Sequence, residues 1–209
     1  LGAEVVLVDQ APGGRPGAVS GADLALVEEE AARIAAVRGA FRADQFRHPG
    51  NAAAHAATTG PEIWEQAEGR LDAFVDFAGS GGTYAGTIRA LKARDAGLRG
   101  YLVEPAGAAV LAGAPLADPS HPIQGGGYAM ADLALLGDAA VDGYLAVTGE
   151  EARRTARDLA RVEGIFGGFS GGANVAAALR LLDGPHAGGR VAVIICDSGL
   201  KYLSTDLWD

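Results

Sequence analysis

Apolar and polar positions along this chain alternate between two rhythms: short unbroken apolar runs, and stretches in which an apolar residue returns every three or four positions. Leu1 to Asp9 (LGAEVVLVD) reads as a buried strand. Gln10 to Gly21 is rich in Gly and Pro and reads as a loop. Ser20 and Asp23 stand in capping-box spacing ahead of a helix in which Leu24, Val27, Ala31 and Ile34 share a face, leaving Glu28 to Glu30 mostly to solvent. Phe41 to Phe46 fits neither rhythm. Pro49 and Gly50 break the chain before a helix from about Asn51 to Thr59, and Gly60 with Pro61 restarts a second short helical piece through Trp64.

Beyond Trp64 the pattern becomes strand, loop, helix, repeated. Leu71 to Ala78 is strand-like, Gly79 to Thr83 (GSGGT) is a turn, and a helix runs from Tyr84 to Asp95. Gly100 to Glu104 and Val141 to Val147 are the next apolar runs, around an irregular segment centred on Gln124 to Gly127. Thr148 and Glu151 form a second capping box, for a helix to about Glu163. Gly167 to Gly172 is another small-residue turn before a helix from Ala173 to Leu182, and Val191 to Cys196 is the last inner strand. Such alternation predicts an α/β fold with a largely parallel sheet.

Three polar, glycine-rich turns therefore fall at strand ends or helix starts, where open parallel sheets bind ligands. Gly79, Ser80, Gly81, Gly82 and Thr83 make a compact anion cradle: glycines let backbone N–H groups approach an oxyanion, the hydroxyls add donors, and the helix start adds unpaired N–H groups. A phosphate suits it. A nucleotide P-loop is excluded because no Lys lies near the turn, and a dinucleotide fingerprint because Tyr84 stands where a third glycine belongs. A tight turn with no ligand satisfies the same spelling.

Composition narrows the classes. At 209 residues, 49% hydrophobic and 21% charged, the chain can bury a real core in one or two lobes. A net charge of -9 argues against nucleic acid or an anionic membrane as partner. No apolar run is long enough to span a bilayer, so the expected location is cytoplasmic. The single cysteine, Cys196, is expected to be a buried core thiol. His48, His55, His121 and His186 are scattered without metal-ligand spacing and are expected at the surface. Gly168 to Gly172 matches the short hydrolase-elbow spelling, which makes Ser170 a candidate nucleophile although no histidine is close in sequence.

Several stretches together resemble the cysteine synthase (O-acetylserine sulfhydrylase) and cystathionine β-synthase family of pyridoxal-phosphate enzymes, with the tryptophan synthase β-like fold. They are LGAEVVLVD at 1 to 9, QF at 45 to 46, TTGPEIW at 58 to 64, GSGGT at 79 to 83, VEPAG at 103 to 107, IQGGG at 123 to 127, GFSGGAN at 168 to 174 and DSGLKYLSTDLW at 197 to 208. The resemblance implies a three-layer α/β/α architecture with a mostly parallel sheet, and pyridoxal 5'-phosphate as cofactor. Gly79 to Thr83 would hold its phosphate. Ser170 would face its pyridine nitrogen, where a neutral hydroxyl supports a protonated ring less than a carboxylate does. Gln45, Gln124 and Gly125 would bind the amino acid substrate. The implied reaction is β-replacement, acetate leaving O-acetylserine and a sulfide donor adding to give cysteine, in a homodimer.

Two departures qualify that reading. A pyridoxal-phosphate enzyme of this kind needs a lysine to hold the cofactor as a Schiff base, and the chain has only Lys92 and Lys201. Lys92 lies nine residues beyond Thr83, roughly 14 Å along a helix. The family's reactive lysine precedes the LGAEV stretch. Leu1 is not a start methionine and opens directly into a strand pattern, so a preceding part of the protein is expected to be missing, with 1–46 the remainder of a smaller lobe and 47–209 the larger cofactor-binding domain. This piece alone is then expected to be inactive. The loop at 124 to 128 is also shorter than the family form, and Gly171 replaces a common serine, so the leaving group and nucleophile stay open. A catalytically silent phosphate-binding or interaction module of the same fold is the alternative.

Overall fold

The computed structural model describes residues 2–13, 20–119 and 121–209. Leu1, residues 14–19 of the predicted loop and Ser120 lie outside them. The elements run, in chain order, α1 (Gly21–Arg38), α2 (Gly50–Ala57), α3 (Thr59–Gln66), β1 (Ala73–Phe77), α4 (Gly82–Lys92), β2 (Arg99–Pro105), β3 (Gly143–Val147), α5 (Gly149–Glu163), α6 (Phe169–Leu182) and β4 (Val191–Val193), with a short 3-10 turn at Gly199–Tyr202.

Among the described residues the four strands are all parallel, in the order β3-β2-β1-β4. β1 is central and buried at every position, as the unbroken run at 71 to 78 predicts for a strand covered on both faces. Side chains alternate between the two faces. Phe74, Ala78 and Leu102 point to the α4 side with Tyr84, Ile88 and Leu91. Val75, Phe77 and Val103 point the other way, to Ala152 and Ala156 of α5 and Phe169, Ala173 and Ala177 of α6. These two cores make the three-layer α/β/α fold.

Helices approach the site closely because small residues let them. A Cβ on Gly86 would stand 2.1 Å from the Ala52 carbonyl oxygen, and one on Gly172 would stand 2.2 Å from that of Ala152. Both capping boxes form: Ser20 with Asp23 starts α1, and Thr148 with Glu151 starts α5.

Three expectations are corrected. Residues 2–10 form no strand, and Val5 and Leu7 are 78% and 90% exposed. A strand is stable only within a ladder, and none of the four strands pairs with this segment. Next, α6 begins at Phe169, so most of the predicted small-residue turn is its first helical turn. Finally, β4 stops at Val193, which leaves Cys196 beyond the strand and exposed instead of in the core.

Candidate active site

From β1 the chain moves sideways to β2 and β3, then returns to β4 on the opposite flank of β1. A reversal of this kind opens a crevice between the carboxyl ends of the two strands that part. Here β1 and β4 pair only as far as Val75↔Val193, while β1 and β2 stay paired to Phe77↔Val103.

The cradle Gly79 to Thr83 follows β1 directly. Gly81 sits at φ +84°, a left-handed conformation in which glycine costs nothing, and it turns the chain into α4 without a side-chain cap. The Ser80 hydroxyl accepts a 3.1 Å hydrogen bond from Asn51 Nδ2, which also donates to the Gln45 carbonyl at 2.7 Å. Thr83 Oγ1 lies 3.2 Å from His55 Nε2, and His55 Nδ1 lies 2.9 Å from Thr59 Oγ1. Burial holds the His55 pKa below its ordinary value, so the ring favours its neutral form. A Cβ on Gly79 would come within 3.2 Å of the Gly125 carbonyl, and Gly127 N–H donates to the Ala78 carbonyl at 2.8 Å. The 124–127 loop is thereby drawn onto the cradle.

Across the crevice, α6 also starts on a glycine, Gly168, with no side-chain cap. Ser170 occupies its first turn and is buried. Cys196 follows β4 in the same region, and although the residue is exposed, desolvation and the nearby Asp76 push its thiol pKa up to about 11. The three half-buried histidines have other partners: His55 the two threonines, His121 the Gly127 carbonyl and His186 the Tyr101 hydroxyl. For these three this corrects the expectation of surface histidines, which His48 meets, and it leaves a hydrolase nucleophile at Ser170 with no base among them.

Among the other predicted residues, Gln45 and Gln124 are exposed, and Gly125 adopts φ +94°. Gln45 is tied to the cradle through its main chain by Asn51. Both lysines are in ion pairs, Lys92 with Asp142 at 2.9 Å and Lys201 with Asp197 at 3.0 Å. Burial would raise the Asp142 pKa, but Lys92, the Gly100 N–H and Arg99 together bring it down to about 2.

Four residues of the crevice escape sequence reasoning: Asn51, His55, Asp76 and Asn174. Asn51 and His55 are one helical turn apart on α2, a spacing that puts both on the face toward α4. A carboxylate inside the apolar run of β1 was the other legible signal, since a buried acid is costly unless it has a task.

The profile of the pyridoxal-phosphate dependent enzymes matches residues 1–197. Cysteine synthase 3 of Caenorhabditis elegans is 37% identical over 212 aligned residues, covering 99% of this chain and 58% of its own length. Cysteine synthase A of Escherichia coli K12 is 42% identical over 173 residues, covering 78% of this chain and 53% of its own. The crystal structure of O-acetyl serine sulfhydrylase isoform 3 from Entamoeba histolytica superposes with a TM-score of 0.80 at 34% identity, over 90% of this chain and 54% of that one. The chain thus spans little more than half the length of these relatives. With a profile match along nearly its whole length and a shared fold at this identity, the chain belongs to the pyridoxal-phosphate dependent enzyme family.

Proposed function

We propose that the protein carries out β-replacement on an O-activated serine with pyridoxal phosphate, most directly the formation of cysteine from O-acetylserine and a sulfide donor. The observation that carries this reading is that Gly79–Thr83 and Ser170 lie on uncapped helix starts flanking one crevice at the strand-order reversal. A phosphate fits the cradle, whose glycines leave room for close backbone approach and whose helix start favours an anion. When bound, the cofactor supplies the electron sink that weakens bonds at the substrate's α and β carbons.

The chain's own residues do the rest. Gly79, Ser80, Gly81, Gly82 and Thr83 hold the phosphate, with Asn51 fixing Ser80 and neutral His55 fixing Thr83. Ser170 meets the ring nitrogen. Gln45 takes the substrate carboxylate, and Gln124 with Gly125 lines the substrate side. We place the cofactor's covalent anchor outside residues 1–209, since Lys92 stands at the far end of α4 from the cradle, paired with Asp142, and Lys201 in the 3-10 turn, paired with Asp197. We assign 1–46 to a smaller lobe and 47–209 to the larger domain, since the two apolar cores draw no residue from before Ile63. A homodimer in the cytoplasm completes the reading; no helix of the described residues is long and apolar enough to cross a membrane.

Pyridoxal phosphate titrated into the chain, followed by cofactor fluorescence with inorganic phosphate as competitor, tests the site. Saturable binding that phosphate displaces and Gly79→Val abolishes is expected. Absence of binding sinks the cradle assignment. After borohydride treatment, intact protein mass should be unchanged; a covalent adduct on Lys92 or Lys201 would overturn the placement of the anchor.

A further inference from the structure

Gln124 and Gly125 can line a substrate only if something holds their loop still, and the 121–127 segment shows what does. Ile123 is buried in the core with Phe77, Val103 and Phe169. Pro122 packs at the start of α5 so closely that a Cβ on Gly149 would collide with its ring. Gln124 and Gly125 are exposed, and the chain is buried again at Gly126 and Gly127. The exposed pair is the apex of a loop held at both ends. Where that apex meets the cradle is marked by the Gly125 carbonyl, 3.2 Å from the place a Cβ on Gly79 would take.

Gly127 is the tighter of the two ends. Its N–H donates to the Ala78 carbonyl at 2.8 Å, directly after β1, and its carbonyl stands 2.9 Å from His121 Nε2. It adopts φ +68°, and a Cβ there would collide with the ring of Pro105 at the end of β2. With no room for a side chain, the loop is held here through main-chain groups alone. A carbonyl only accepts, so Nε2 carries the ring hydrogen, while Nδ1 is buried with no partner. A buried ring nitrogen left unsatisfied is costly, and proteins keep such costs where they secure a working geometry. We propose that His121 is a positioning residue: by locking Gly127 against the ends of β1 and β2, it sets the Gln124–Gly125 apex over the cradle before any substrate arrives. The inference rests on the proposed placing of the amino acid substrate at Gln124 and Gly125.

Amide hydrogen exchange tests the pin without any ligand. In the whole chain, peptides spanning 121–130, read by mass spectrometry, should exchange about tenfold faster in His121→Leu than in the wild type, while peptides from α3 keep their rates. His121→Gln, whose amide nitrogen reaches as far as Nε2, should restore slow exchange. His121→Asn, whose shorter amide ends at the level of Nδ1, should not. An unchanged rate in His121→Leu, or rescue by Asn as complete as by Gln, overturns the pin, and the Gln–Asn pair decides it alone if His121→Leu does not fold. The substrate side is read with two unreactive analogues: pyridoxamine phosphate, which offers ring, amine and phosphate, and phosphopyridoxyl-L-alanine, which adds an amino acid carboxylate. His121→Asn should bind the second about tenfold more weakly than the wild type and the first within about twofold. Equal losses for both would put the pin under the phosphate and overturn its substrate-side role. A wild-type chain that binds neither refutes the proposed cofactor site and that role with it, while the exchange rates still decide the pin.

Discussion

α5 and α6 pack against each other, yet they begin in opposite ways. α5 starts on a closed capping box, in which Thr148 Oγ1 accepts from the Glu151 N–H and Glu151 accepts from both the Thr148 N–H and hydroxyl at 2.8 Å. Burial would raise the Glu151 pKa, but these bonds and Arg180 bring it down to about 2. α6, like α4, starts on a glycine that offers no side-chain cap, and at α4 only the Ser80 hydroxyl reaches back, accepting from the Gly82 N–H at 3.4 Å. Between those two open starts lie Asp76 with its raised pKa and the unpartnered Asn174 Oδ1 and Asp197 Oδ1. One region satisfies its own backbone; the other keeps polar groups waiting for something to bind. Sites commonly break local rules that the scaffold obeys elsewhere.

The sharpest way to test that contrast is to remove its largest unsatisfied group. The folded-state pKa of Asp76 is raised from 3.8 to about 7, so the folded protein holds its proton more tightly than the unfolded chain. Its contribution to stability is therefore full below the unfolded pKa and is lost as pH rises through about 7. Asp76→Asn should consequently stabilise the fold more at pH 8 than at pH 5, by about 2–3 kcal/mol. Urea unfolding of both proteins at the two pH values measures it. An equal effect at both would mean that Asp76 is paired and the crevice is not strained there.

Putting a charge on the open start of α4 should come next in size. Gly81→Asp adds about 1–2 kcal/mol of left-handed strain and sets a carboxylate beside the phosphate position. Pyridoxal phosphate affinity should fall about 100-fold, roughly 3 kcal/mol. The equivalent change at the closed start, Thr148→Ala, should cost about 1 kcal/mol of stability and leave that affinity unaltered. Loss of binding in Thr148→Ala would erase the distinction between the two kinds of helix start.

The capping boxes of α1 and α5 were legible because each is written in residues three apart, and GSGGT was legible because strand, glycines and helix are consecutive. Order in the sheet was not, since no local spacing says that β4 returns beside β1. The neighbourhood of Asp76, Asn174 and Cys196 was hidden for the same reason: its members come from β1, α6 and the segment after β4. At 2–10 the pattern misled. An apolar run specifies a strand only where another strand accepts its hydrogen bonds, and this one has none among the described residues.

The smallest expected effect concerns how the open start of α4 is supported from beneath. His55 bridges Thr59 and Thr83, and burial lowers its folded pKa. A depressed histidine contributes stability that is present above the ordinary histidine pKa and lost as pH falls through the folded value. Unfolding free energy should thus decline between pH 7 and pH 5, and His55→Gln should flatten that decline by about 1 kcal/mol or less, since the site is only partly buried. The same variant should weaken pyridoxal phosphate binding several-fold at pH 7, because Thr83 loses the partner that fixes its hydroxyl. If stability flattens while affinity holds, His55 serves the packing of α2 on α4 alone, and the cradle's orientation comes from its own backbone.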